Sequence, residues 1–289
     1  MKNNRLQAAW WGERVFLAVI FAALGLLIYS VFSPYDPQFP PIPDFLGRIG
    51  LSVFLFCAAW LAHRVAALQK YASLLFGFGV MIAAVSLDWV FANFLTDSLH
   101  LDGNSMTGIA WMKLSDGVVI ITTIVVLTRL SGESLGSIYI QKGKLKTGLL
   151  IGGVLFCLAA AGSIFMASSP VFSTRGDLTL QRILPWTPWV LIFALANGAQ
   201  EEILFRGLFL RKLEPFFGKF FSVFLIALVF TVLHSVVNYT PNMLMFLAIV
   251  FPLALVWGWL MLKTEGVWAS ILFHAGMDIP IILSIYSNL

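Results

Sequence analysis

Residues 147–168 read TGLLIGGVLFCLAAAGSIFMAS, 22 residues without one charged side chain. At ~1.5 Å per residue a helix of that length covers about 33 Å, slightly more than the ~30 Å hydrocarbon core of a bilayer. A helix that is apolar all round needs an apolar surrounding on every face. Eight more segments have the same character, at 15–32, 46–66, 72–95, 109–130, 186–211, 219–238, 242–263 and 266–286. The expected fold is therefore an all-α polytopic membrane protein with about nine transmembrane helices. Eight is the alternative count, because Lys113 and Asp116 interrupt the first turns of the fourth segment.

Composition agrees. Of 289 residues, 60% are hydrophobic and 11% charged, against ~45–50% and ~25% in soluble domains. So few charges cannot cover the surface of a soluble globule of this size. This excludes an ordinary soluble enzyme, a disordered chain and a nucleic-acid binder with a basic face. The net charge of +4 belongs instead to loops beside a lipid bilayer, and no nucleic-acid partner is expected. Cys57 and Cys157 fall inside apolar runs, and both are expected as buried small hydrophobes. The loops are all short, so no soluble domain is expected.

Basic residues alternate from loop to loop. With the N-terminus in the cytoplasm, 14 of the 18 Lys and Arg side chains fall on the inner side, all but Arg48, Lys113, Arg175 and Arg182. The positive-inside rule then places loops 63–71, 130–146 and 212–218 inside, and 33–45, 96–108 and the C-terminus outside. The first segment resembles a signal sequence but lacks a small-residue cleavage site, and is read as a retained anchor. Ser137–Lys146 reads as a short amphipathic stretch at the inner surface.

Ionisable groups inside a membrane cost ~2.5–3.5 kcal/mol each on insertion scales, and usually face a cavity or a partner. Here they gather in the last four spans. The sixth carries Asn197, Gln200, Glu201, Glu202 and Arg206, the seventh His234 and Asn238, and the ninth His274 and Asp278, while the eighth reads as apolar scaffold. Glu202 and Arg206 are four apart and share a helix face, as do Phe230 and His234, and His274 and Asp278. An Asp at that spacing can orient an imidazole. Glu201 is turned by ~100° from Glu202 around the same helix. These are the parts of a hydrolytic site, with a Glu to take a proton from water, a His to donate one and polar groups for an oxyanion. Glu201, His234 and His274 would equally serve as a Zn site with one open position. A transport pathway lined by the same carboxylates is a further possibility on composition alone.

At these residues the chain resembles the CPBP family of intramembrane proteases (CAAX-protease and bacteriocin-processing, or Abi). The motif E-E-x-x-x-R reads Glu201–Arg206, F-x-x-x-H reads Phe230–His234, and H-x-x-x-N/D reads His274–Asp278. The three occur in order on separate hydrophobic spans. The resemblance covers about 130–289 and implies a division into a motif-free region at 1–130 and a catalytic membrane core at 131–289. It implies a peptidase acting on a membrane-associated peptide or protein. Carried over, Glu201 activates water, His234 works with it, and His274 and Asp278 bind the oxyanion or complete the polar cage. Glu202 and Arg206 form a supporting pair, and Phe230 supports His234. Asp278 stands where the eukaryotic branch has Asn, and an ionised Asp cannot donate to an oxyanion. Family members are described both as metalloproteases and as metal-free glutamate enzymes, so the implied cofactor is none or Zn, with Glu201, His234 and His274 as ligands. A catalytically silent scaffold or immunity protein is the alternative from another class. The short loops suit a prokaryotic inner membrane.

Measured from its nominal cytoplasmic end, His234 lies deeper than Glu201 and His274. A tilted or broken seventh segment, near Pro215 and Gly218, is expected to bring them level.

Overall fold

The structure, a computed structural model, describes residues 2–32 and 38–289, with side chains from residue 11 onward. Asp36 and the side chains of Lys2 and Arg5, which enter the charge alternation, lie outside the described residues. Within the described residues the chain is helical, with no strand. In hydrocarbon every backbone N–H and C=O needs an internal partner, and a helix supplies it. The order is α1 (Lys2–Leu26), running into a π-helical turn (Leu27–Val31), then α2 (Pro41–Arg64), α3 (Gln69–Phe91) and the short α4 (Phe94–Ser98). Next come α5 (Met106–Leu130), α6 (Leu145–Ala167), the single-turn α7 (Leu180–Ile183) and α8 (Thr187–Glu201). A second π-helical turn (Glu202–Gly207) leads into α9 (Leu208–Leu233), followed by α10 (Met243–Thr264) and α11 (Trp268–Ser287).

Eight helical stretches among the described residues are long and apolar enough to cross a membrane. One of them, Leu180–Val236, has 57 residues, which as a straight helix would reach ~85 Å, nearly three bilayer cores. It is not straight. Gly218 takes φ 70° and ψ 172° inside α9, a conformation open to glycine and strained for a side chain. The chain doubles back there, because the Phe205 and Phe230 rings meet at 5.2 Å, whereas a straight helix would part them by ~37 Å. Both segments read at 186–211 and 219–238 are thus helical, on the two arms of a hairpin that turns at Gly218. The turn also removes the depth mismatch. Helix continues past 211 to Gly218, so Glu201 and His234 lie 17 and 16 residues from the same turn.

α11 is the central element, packed on α6, α8 and α10. The α8–α11 crossing is close because position 198 has no side chain. A Cβ on Gly198 would lie 3.0 Å from Ala275 N and 3.0 Å from Ile271 O. That contact sets Glu202, one turn onward, against Ser270 and His274. Gly198→Leu is expected to push the helices apart, to cost about 1–3 kcal/mol by overpacking, and to lower activity. Thermal unfolding in detergent, run beside an activity assay, checks both.

The cysteines correct one expectation. Cys57 and Cys157 are exposed at the outer faces of α2 and α6. Their apolar neighbours face lipid rather than protein, so apolar sequence context here meant membrane burial. The stretch 137–146 corrects another in part. Ile138 and Tyr139 are buried, and Lys144 pairs with Glu265 at 3.3 Å, so this segment packs on the helix bundle as well as facing the surface.

Candidate active site

The two adjacent glutamates point to different partners. Glu202 is fully buried and fully engaged. Its Oε1 accepts from Arg206 Nη1 at 2.8 Å and from His274 Nδ1 at 2.8 Å. Its Oε2 accepts from the Ser270 hydroxyl at 2.5 Å. Glu201 sits one position back, at the entry to the π-helical turn, where such turns often mark functional sites. Its Oε2 has no hydrogen bond among the described residues. Facing that oxygen are His274 Nε2 at 3.5 Å and His234 Nε2 at 3.9 Å.

The outer hydrogen bonds set the tautomers. His234 Nδ1 lies 2.8 Å from the Phe230 carbonyl oxygen, which only accepts, so Nδ1 carries the proton. His274 Nδ1 likewise donates to the Glu202 carboxylate. Both imidazoles therefore turn Nε2 toward Glu201. Asp278 Oδ1 lies 3.7 Å from His274 Nε2, beyond hydrogen-bond length. The sequence reading had Asp278 as a group able to orient His274, but the carboxylate holding this ring is Glu202. Asp278 is instead held by Asn197, whose Nδ2 donates to Oδ2 at 3.0 Å.

Aromatic rings wall the site. Trp257 stacks on His274 at 3.9 Å and 6°, and Phe230 lies 4.4 Å from the His234 ring. The Arg206 guanidinium sits 4.1 Å over Phe230 and 5.3 Å from Trp257, a cation–π arrangement in a desolvated place. Phe230 thus supports both the imidazole and the cation, besides offering the carbonyl that fixes His234. The eighth span is more than scaffold, since Trp257 supplies that stacked ring and a carbonyl 2.9 Å from Ser270 Oγ.

A cavity of about 520 Å³ opens on Glu201, His234, Asp278 and Asn197. Its other walls include Tyr29 of α1, Lys113 of α5 and Tyr239 of the α9–α10 loop. Burial first, then the charges of Glu201 and Asp278, push the Tyr239 phenol far above its usual range, so it stays protonated and able to donate. Lys113 pairs with Asp116 at 3.1 Å. Two residues of the motif-free region thus line the same cavity as Glu201. A smaller apolar pocket also reaches His234 and His274 and is walled by Phe172, Phe246, Val250 and Leu253.

The structure thus brings Glu201, His234, His274 and Asp278 together, with Glu202, Arg206 and Phe230 behind them. Sequence reasoning missed Ser270, Trp257, Lys113 and Tyr239, and named Asn197 without a place in the site. Ser270 had a weak signal, being one helical turn before His274. As a donor set, two imidazoles and a carboxylate suit Zn. Among the described residues, however, no group of three or more His, Cys, Asp or Glu is disposed to hold a metal ion.

Residues 183–280 match the family model of Rce1-like type II CAAX prenyl endopeptidases. This Rce1-like segment contains all three motifs and runs from α7 to the middle of α11, in accord with the CPBP resemblance. It leaves out Tyr29 and Lys113. Neither the curated proteins nor the solved structures gave a match to the chain.

Proposed function

We propose that the chain is an intramembrane endopeptidase that hydrolyses a peptide bond of a membrane-associated peptide or protein. The observation that carries this is the contrast between the two glutamates. Glu202 has its oxygens engaged by Arg206, His274 and Ser270, whereas Glu201 lines the cavity and its Oε2 has no hydrogen-bond partner among the described residues. A water held by the Glu201 carboxylate and an imidazole Nε2 gives its proton to Glu201 as its oxygen attacks the scissile carbonyl carbon. The tetrahedral intermediate then collapses, the C–N bond breaks, and the proton on Glu201 passes to the leaving nitrogen. Glu202, Arg206, Ser270 and Trp257 act by holding His274 in place. The match to an Rce1-like CAAX prenyl endopeptidase model supports a peptidase with a membrane-held protein substrate. We read the chemistry as glutamate-dependent, with Glu201 as the base.

We place the protein in a prokaryotic inner membrane, on its short loops, with the N-terminus in the cytoplasm, on the 14-to-4 partition of basic residues. With Cys57 and Cys157 replaced by Ser, a single Cys at position 142 is expected to label from the cytoplasmic side of sealed vesicles, and one at 288 from the outside. A cytoplasmic position 288 would remove one crossing. Function is tested by comparing membrane proteomes of cells expressing the wild type or Glu201→Gln. Longer, uncleaved forms of one or more membrane proteins are expected only with the variant. Identical proteomes would contradict the reading.

Asp278→Asn keeps the shape and the contact distance to Asn197, and is expected to retain activity within about tenfold, since Asp278 is not the carboxylate that orients His274. A peptide-cleavage assay checks this.

A further inference from the structure

Peptide hydrolysis through Glu201 creates an oxyanion, and the groups nearest Glu201 are poorly suited to receive it. His234 and His274 bind Phe230 O and Glu202 through Nδ1, which leaves each Nε2 aimed at Glu201 Oε2, at 3.9 and 3.5 Å. The Asp278 carboxylate only accepts. The Lys113 ammonium is engaged by Asp116 at 3.1 Å. Asn197 is different. It lies four residues before Glu201 in α8, on the same helix face. It lines the cavity with Glu201 and His234, and its amide bears two N–H groups. One of them bonds Asp278 Oδ2 at 3.0 Å. Facing an acceptor, the amide turns its nitrogen inward and its rotamer is held. The second N–H is left for a ligand in the cavity.

We propose that Asn197 is a catalytic residue of this site, donating its second amide N–H to the oxyanion of the tetrahedral intermediate while Asp278 holds the amide in place. The inference rests on the hydrolytic reading above. As water attacks, the carbonyl π pair moves onto oxygen and Glu201 takes the proton. The new negative charge then meets a neutral, preorganised donor that carries no net charge of its own. The role assigned to Asp278 changes with this. It need not donate to the oxyanion, because the donor is its partner.

The test uses the full chain in nanodiscs and a fluorogenic, N-palmitoylated octapeptide with an apolar C-terminal half. Its phosphonamidate isostere is the tetrahedral probe. Asn197→Ala, the isosteric Asn197→Leu and Tyr239→Phe are compared with the wild type, each also in an Asp278→Asn background. Losing an oxyanion donor costs ~10²–10³ in kcat. Both Asn197 variants are expected to lose that factor in kcat with KM nearly unchanged. They should weaken isostere binding by a similar factor, and do so whether position 278 is Asp or Asn. A loss that vanishes in the Asp278→Asn background would place the donor at position 278 rather than at Asn197 and overturn the proposal. So would a loss confined to KM, or a loss of kcat and isostere binding in Tyr239→Phe but not in the Asn197 variants. If the wild type neither cleaves the peptide nor binds the isostere, the hydrolytic reading falls first and takes this one with it.

Discussion

Glu201→Gln is expected to reduce cleavage by ~10²–10⁴-fold, the usual contribution of a positioned general base, while folding and membrane insertion stay intact. Gln fills the same space but cannot take a proton from water at neutral pH. Because Glu201 Oε2 makes no hydrogen bond among the described residues, the substitution breaks none at that oxygen. Purified variant and wild type should elute alike in detergent and unfold at closely similar temperatures. Full activity in Glu201→Gln, with total loss in Glu202→Gln, would mean that the two glutamates have been given each other's role. Full activity in both would return the chain to a scaffold or transport function.

Glu202→Gln is expected to act through stability as well as rate. Arg206 and Glu202 are both buried, at 1% and 0% side-chain exposure. Removing one partner of such a pair leaves an uncompensated charge and costs ~3–5 kcal/mol. Adding Arg206→Met removes the stranded charge, and much of the lost stability should return in the double variant. Activity should not return with it, because His274 Nδ1 still lacks the carboxylate that holds it. Thermal unfolding and turnover of the two singles and the double separate these effects. Equal recovery of stability and activity would show that Glu202 serves only to neutralise Arg206.

Much of the fold could be read from the sequence because hydrocarbon leaves the backbone few options. Residues 147–168 had to be a helix once they were in lipid, and so did the other eight apolar segments. What sequence reading could not supply was the length of helix beyond the membrane. Arg211 was taken as the end of the sixth segment, whereas helix continues to Gly218, and the apparent depth gap at His234 came from that choice. The cysteines were misplaced for a related reason, since apolar neighbours do not distinguish protein from lipid.

The site was legible where chemistry is costly. Glu201, Glu202, Arg206, His234, His274 and Asp278 stand out because charges and imidazoles in a bilayer are rare. Residues that cost nothing there gave no signal. Trp257 is one aromatic in an apolar span, and only packing reveals that it stacks on His274. Lys113 looked like an interruption of a weak span, though it lines the cavity from outside the Rce1-like segment. Tyr239 lay in a short turn between spans. Asn197 was seen, but its tie to Asp278 joins residues 81 positions apart, and no local pattern predicts such a contact.

The most direct test of the central claim is cleavage in isotopically labelled water. Wild-type and Glu201→Gln proteins are reconstituted in liposomes, and the N-palmitoylated octapeptide is incubated with each in H₂¹⁸O. Mass spectrometry of the products then reads where the oxygen goes. The account predicts one ¹⁸O in the newly formed carboxyl group with the wild type, and little or no product with Glu201→Gln. Labelled product formed at equal rates by both proteins would contradict it.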